Sequence, residues 1–216
     1  MIDFDKEITR DIIDQLPLKS FEGEIVVVSD PSFLDEVVNE ISKSKVLGFD
    51  TETRPVFKKG EKRNISLLQL YDGNRAYLFR INKMGFAEQL KEILQNKDII
   101  KAGAAVHDDI KGLRKLSSFN PQGFVDLQKV ANQFHINGIS VRKLAARILE
   151  IKISKRQQLS NWDNDILEAS QIRYAATDAW ICYLLYFELK KMQEELGKNS
   201  NITTNKNRIN TTTNEQ

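Results

Sequence analysis

Cysteine occurs once in these 216 residues, at Cys182, and histidine twice, at His107 and His135. A lone cysteine excludes an internal disulfide and a cysteine-built zinc site, and its place in an apolar helical run makes it a core residue. The two histidines stand in no metal-pair spacing and are expected to be structural. No run approaches the ~18 apolar residues of a membrane span, and Met1-Ile2-Asp3-Phe4-Asp5-Lys6 lacks the regions of a secretory signal, so a cytoplasmic location away from any membrane is expected. The chain has neither a GxGxxG turn nor a GxxxxGK[ST] loop, which excludes a nucleotide-driven motor of its own, and no internal repeat.

With 41% hydrophobic and 29% charged residues, the chain has the length and core for one sizeable α/β domain. The net charge of +2 lies in the last segment, where Lys198, Lys206 and Arg208 outnumber Glu215, and the remaining 29 basic and 29 acidic residues balance. Residues 197–216, rich in Asn and Thr, hold too little apolar surface to offset their ordering entropy and are expected to be a disordered polar tail. The domain proper is then 24–196, preceded by a lead segment, 1–23.

Within that domain the β-branched run Glu24-Ile25-Val26-Val27-Val28 predicts a strand, and Ser29-Asp30-Pro31 predicts the start of a helix over Phe33 to Ser42. A strand ending in two acids follows, Val46-Leu47-Gly48-Phe49-Asp50-Thr51-Glu52. Asn64 to Leu70 and Arg75 to Ile81 form a hairpin about Tyr71-Asp72-Gly73-Asn74. A helix from Phe86 to Gln95 leads to a strand from Ile99 to Val106. The rest is helical apart from one further short strand, and it ends in a long helix from Leu167 to Leu196. Gly103-Ala104-Ala105 reads as tight backbone packing against a helix.

Side chains alternate along a strand, so Asp50 and Glu52 point to one face, where two close carboxylates repel unless a cation separates them. Hard divalent ions take such oxygen ligands and keep sites for water and phosphate. His107-Asp108-Asp109-Ile110 follows the strand that ends at Val106. Either acid there can cap a helix, and one can cap while the other faces the end of the strand bearing Asp50. Tyr174 and Asp178 lie four apart on one helix face, with Ala175, Ala176 and Ala179 permitting close approach to a sheet.

These three segments, together with Ile65-Ser66-Leu67-Leu68-Gln69-Leu70, Lys101-Ala102-Gly103, Phe124-Val125-Asp126-Leu127 and Leu159-Ser160-Asn161-Trp162, resemble the tyrosine-bearing branch of the DEDD superfamily of 3′-5′ exonucleases. In order and spacing they are similar to its Werner-type exonuclease domains and to ribonuclease D. The resemblance runs over roughly residues 24 to 190. It implies a ribonuclease H-like α/β fold, a mixed five-to-six-stranded sheet flanked by helices with Asp50 and Glu52 on its central strand. It also implies that Asp50, Glu52, Asp109 and Asp178 hold two divalent ions, Mg²⁺ or Mn²⁺, while Tyr174 orients the attacking water. Asp109 is preferred to Asp108 because the family has an apolar residue after its ligand, as Ile110 is here.

The substrate implied is the 3′ end of a nucleic acid, DNA ahead of RNA, cleaved to nucleoside 5′-monophosphates. Lys58, Lys59, Lys62 and Arg63, close after the carboxylate strand, are candidates to grip its backbone, as are Lys155 and Arg156. Trp162 either stacks on a base or packs in the core. Three other readings share these motifs: ribonuclease D-like trimming of RNA, a proofreading subunit of a polymerase, and a non-catalytic nucleic-acid-binding module on the same fold.

Overall fold

The computed structural model describes residues 8–55, 64–136 and 140–212, with side chains up to residue 198. In chain order the elements are α1 (Arg10–Gln15), β1 (Ile25–Val28), α2 (Leu34–Ile41), β2 (Val46–Thr53), β3 (Ile65–Tyr71), β4 (Ala76–Phe79), α3 (Ile81–Met84) and α4 (Glu88–Gln95). There follow β5 (Ile100–Gly103), α5 (Val106–Leu116), β6 (Phe124–Asp126), α6 (Leu127–Asn132), α7 (Val141–Ile148) and α8 (Ala169–Thr212). Among the described residues the strands form one six-stranded sheet in the order β1-β4-β3-β2-β5-β6. Only β3 runs against the others, pairing antiparallel with β2 and β4, so the sheet is mixed. β2, with three strands on one side of it in the order and two on the other, is an interior strand that carries the acids at its end.

Period-two alternation along β2 sorts its side chains between two helical layers. Leu47 and Phe49 enter the core beneath α2, α4 and α5, with Leu34, Ile41, Leu90, Leu94 and Leu113. Gly48 faces the other way, against the backbone of α8 at Ala179. The same face of the sheet carries Leu67 and Leu78 under Ala175 and Trp162, and Tyr71 and Ala76 under Ala176 and Ala179. The alanines of α8 are therefore its contact stripe, and Asp50 and Glu52 fall on the α8 side of β2.

β5 ends at Gly103 and Val106 already opens α5, three residues short of the strand end expected from the apolar pattern. Ala105 causes the break: its left-handed φ of 56° turns the chain sharply from sheet to helix. An L-residue held there stores about 1–3 kcal/mol, which surrounding structure must offset. The turn starts α5 where its first acids overhang the end of β2. Lys101 secures the same strand, its buried ammonium donating to the carbonyls of Ile93, Asn96 and Ile99 at 3.2, 2.6 and 2.7 Å.

The lead segment is stitched to α8 and to the segment that follows α7. Phe21 N donates to Thr177 Oγ1 at 3.0 Å, Arg173 Nη1 to Phe21 O at 3.1 Å, and Lys19 N to Lys152 O at 2.9 Å. α8 itself runs on to Thr212. Among the described residues its last buried apolar residue is Leu189, before the exposed Leu196 at which the sequence places the helix end, and the helix continues past both.

Candidate active site

Asp50 and Glu52 leave the end of β2 on its α8 side, and Asp178 comes down from α8 to meet them. One carboxylate oxygen from each of the three lies within 4.8 Å of the other two. Asp109 is placed differently. Thr51, between the two acids, points to the opposite layer and donates its hydroxyl to Asp109 Oδ1 in the first turn of α5. The structure thus joins three of the four proposed ligands and holds the fourth beside them. Asp109 is still near enough that its charge raises both Asp50 and Glu52. Of the adjacent pair, Asp108 is exposed and Asp109 half-buried, which favours Asp109 as the inward member.

Burial is the main force on these acids, and mutual repulsion follows it. The Asp50 carboxyl is raised well above the carboxylate range by burial, then by Asp178, Asp109 and Glu52. Glu52 is pushed up to about 9 by burial, then by Asp178 and Asp109. Asp178 is pushed up to about 7 by burial, against a hydrogen bond from Tyr174 and the positive charge of Arg142. Asp109 is pushed up to about 6 by burial, against the Thr51 hydrogen bond. The Tyr174 phenol is raised further above its ordinary value, by burial and then by Asp178 and Glu52. It therefore remains a proton donor at neutral pH.

An all-oxygen set of converging acids that cannot jointly ionise unaided fits one or more hard divalent cations. A pH dependence follows from the sign of the shifts. Each acid binds its proton more tightly folded than unfolded, so the metal-free protein loses stability as pH rises from about 4, the unfolded value, to about 9, the folded value of Glu52. We expect the metal-free melting temperature to fall across that window. Mn²⁺ or Mg²⁺ should raise it strongly at about pH 8 and little at about pH 5. Differential scanning calorimetry in chelator and in metal reads this directly, and a metal-induced shift equal at both pH values would overturn the ligand assignment.

The surroundings fix the tyrosine. Trp162 is fully buried with Leu67, Leu78, Leu167 and Ala175, its ring centroid 6.0 Å from that of Tyr174. The stacking role proposed for Trp162 is corrected accordingly: the indole is a core residue beneath the site, out of reach of a base. The next residue, Asp163, accepts from Ser66 Oγ at 2.7 Å and pairs with Arg54 at 3.8 Å, tying the loop to the end of β2 and to β3.

Lys155 and Arg156 are exposed. Arg156 lines a cavity of about 260 Å³ together with Tyr174 and Asp178. Lys155 lines another, of about 610 Å³, together with Arg142. Lys58, Lys59, Lys62 and Arg63 lie outside the described residues. His107 and His135 are exposed and take no part in the carboxylate cluster.

Three residues of the site have no place in the sequence reading. Thr51 was legible in principle, since alternation forces it to the α5 side. Gln69 stands directly opposite Asp50 in the β2–β3 register and is fully buried, with neither amide atom hydrogen-bonded among the described residues. A glutamine between Leu68 and Leu70 in a largely apolar strand was the signal. The positive charge of Arg142, on α7, acts on both Tyr174 and Asp178, and no local pattern marks it.

Comparison with known proteins agrees with this geometry. Residues 25–194 match the family model described as 3′-5′ exonuclease. The mouse bifunctional 3′-5′ exonuclease/ATP-dependent helicase WRN is 35% identical over 189 residues, which cover 82% of this chain and 13% of that protein. Ribonuclease D of a Shewanella species is 28% identical over 177 residues, covering 79% of this chain and 44% of its own length. The chain thus spans less than half of either relative. The EXO domain of Nibbler from Aedes aegypti superposes with a TM-score of 0.73 at 21% identity, over 82% of this chain and 94% of that domain. That likeness bears on the fold, and the mixed sheet with flanking helices is the ribonuclease H-like arrangement.

Proposed function

The chain belongs to the 3′-5′ exonuclease family, and we propose that its domain, residues 24–196, removes nucleotides from the 3′ ends of nucleic acid, DNA ahead of RNA, with two divalent ions, Mg²⁺ or Mn²⁺. The observation that carries this reading is the convergence of Asp50, Glu52 and Asp178 beneath the hydroxyl-bearing side chain of Tyr174. Asp50, Glu52, Asp109 and Asp178 would hold the ions. Bound there, the ions supply Lewis acidity, making water a better nucleophile at neutral pH and offsetting charge on the phosphate and the departing oxygen.

Tyr174, kept protonated by burial and by the acids around it, serves as a hydrogen-bonding guide rather than a base. Its hydroxyl, which donates to Asp178, orients the water for in-line attack. Attack forms a new P–O bond from water and breaks the P–O3′ bond. The 3′ oxygen leaves as a hydroxyl after taking a proton, and the product is a nucleoside 5′-monophosphate. Tyr174→Phe removes the guide and no ligand. We expect turnover to drop roughly tenfold to a hundredfold, with Mn²⁺ affinity by calorimetric titration unchanged; a lost affinity would make Tyr174 part of the metal shell instead.

DNA is placed first because the higher identity is to the WRN protein, and trimming of RNA is supported by the likeness to ribonuclease D. The deciding experiment gives 5′-labelled single-stranded DNA, 3′-recessed duplex and single-stranded RNA to the enzyme with Mg²⁺ or Mn²⁺. A ladder shortening by single nucleotides on DNA, abolished by chelator, is expected. Internal cuts, or metal-independent cleavage, would sink the reading, and a ladder on RNA alone would transfer it to RNA.

A further inference from the structure

Arg142, in the first turn of α7, is held on one side only. Its Nη2 donates to Ser154 O at 2.7 Å, whereas Nη1 is buried with no acceptor among the described residues. A guanidinium cannot shed its charge, and a buried donor without a partner costs about 1–3 kcal/mol, more when charged. The orphaned nitrogen belongs to a side chain whose charge is felt by both Tyr174 and Asp178. On its other side Arg142 lines the cavity of about 610 Å³ bounded by α1, α7 and the segment after α7, where Arg10, Lys143, Lys152 and Lys155 also lie and Asp14 is the acid present. Asp14 is itself engaged, pairing with Arg10 at 3.6 Å, while its carbonyl accepts from Lys152.

We propose that this groove is a phosphate subsite for the substrate strand, in which the guanidinium of Arg142, as part of the groove lining, faces a non-bridging oxygen of a phosphodiester next to the one being cleaved. Lys143 and Lys155 line the path of the strand away from the carboxylates. The inference rests on the exonuclease reading and adds to it a binding determinant outside the catalytic acids. A phosphate oxygen is the acceptor that suits a half-bonded guanidinium, since the fork pairs with phosphate at short range and twice the strength of a neutral hydrogen bond. At about 610 Å³ the cavity is also larger than a single anion needs.

The test separates the subsite from the chemistry. Wild type, Arg142→Gln, Arg142→Lys and Lys143→Gln are compared on a 5′-fluorescein oligonucleotide and on a p-nitrophenyl ester of a nucleoside 5′-monophosphate, which carries one phosphate. For Arg142→Gln the loss in kcat/KM should be roughly tenfold greater on the oligonucleotide than on the ester, through KM, with Arg142→Lys between. Anisotropy titrations in chelator should show weaker binding and a log–log salt slope smaller by about 0.7 for each of Arg142→Gln and Lys143→Gln. Equal losses on the two substrates, or binding with an unchanged salt slope in both variants, would overturn the subsite. If wild type hydrolyses neither substrate, the exonuclease reading fails, and the chelator titrations still decide the groove: no binding by wild type would overturn it too.

Discussion

Asp178→Asn should lower turnover by roughly a thousandfold or more and, in the absence of metal at about pH 8, raise the melting temperature. The two effects have one cause. Asp178 is buried on α8 with its carboxyl pushed up to about 7, so above neutrality the metal-free protein holds a charge there that an unfolded chain would carry in water at no cost. The amide keeps the shape, sheds the charge and can still accept from Tyr174. Each kcal/mol relieved should appear as roughly 2–4 °C in a domain of this size. What the amide cannot do is neutralise a cation, and under the proposed ligand assignment the change would weaken one of three contacts whose oxygens meet within 4.8 Å, a loss of several kcal/mol in the transition state.

The metal-induced rise in melting temperature at about pH 8 should shrink in the same variant. Asp50→Ala should be as damaging to turnover, since Asp50 is the member raised by all three of the other acids. Activity is read from the single-nucleotide ladder and stability by calorimetry with chelator. Full activity in Asp178→Asn or Asp50→Ala refutes the ligand roles. Reduced activity accompanied by a lower metal-free melting temperature at that pH would mean that Asp178 serves the fold.

The residues that sequence exposed are those whose placement follows from local periodicity. Asp50 and Glu52 share a face because a strand alternates, and Tyr174 and Asp178 share one because a helix repeats after about four residues. Where a single backbone angle decides, periodicity fails. The apolar run from Ile99 to Val106 reads as one strand, yet Ala105 at a φ of 56° splits it, and that split brings Asp109 over β2. Contacts between distant segments were illegible for another reason. Arg142 becomes a neighbour of Tyr174 and Asp178 only through the packing of α7 on α8, and an arginine on an amphipathic helix looks like a solvated surface charge. Trp162 belonged to an informative segment, but sequence could not tell a ring that supports the tyrosine from one that meets a base.

Gly48→Ala should be the most destabilising single-methyl change at the site, by about 3 kcal/mol or more, corresponding to a melting temperature lower by roughly 6–12 °C. A Cβ at this position would lie 1.9 Å from the carbonyl oxygen of Ala179, 2.9 Å from its carbonyl carbon and 3.0 Å from Tyr183 Cβ. Two of these atoms are backbone in the middle of α8, so no rotamer change relieves the clash. The helix must lift from β2, parting the alanine stripe from the sheet. Asp178 is adjacent to Ala179 and would move with it, separating its carboxylate from those of Asp50 and Glu52. The variant should therefore bind Mn²⁺ more weakly even well below its melting temperature, although no ligand has been changed. Calorimetric titration of Mn²⁺ into the folded variant, beside a thermal melt, measures both losses. A wild-type melting temperature would show that α8 does not press on β2 at this point, and lowered stability with unaltered Mn²⁺ affinity would show that the helix yields elsewhere than at Asp178.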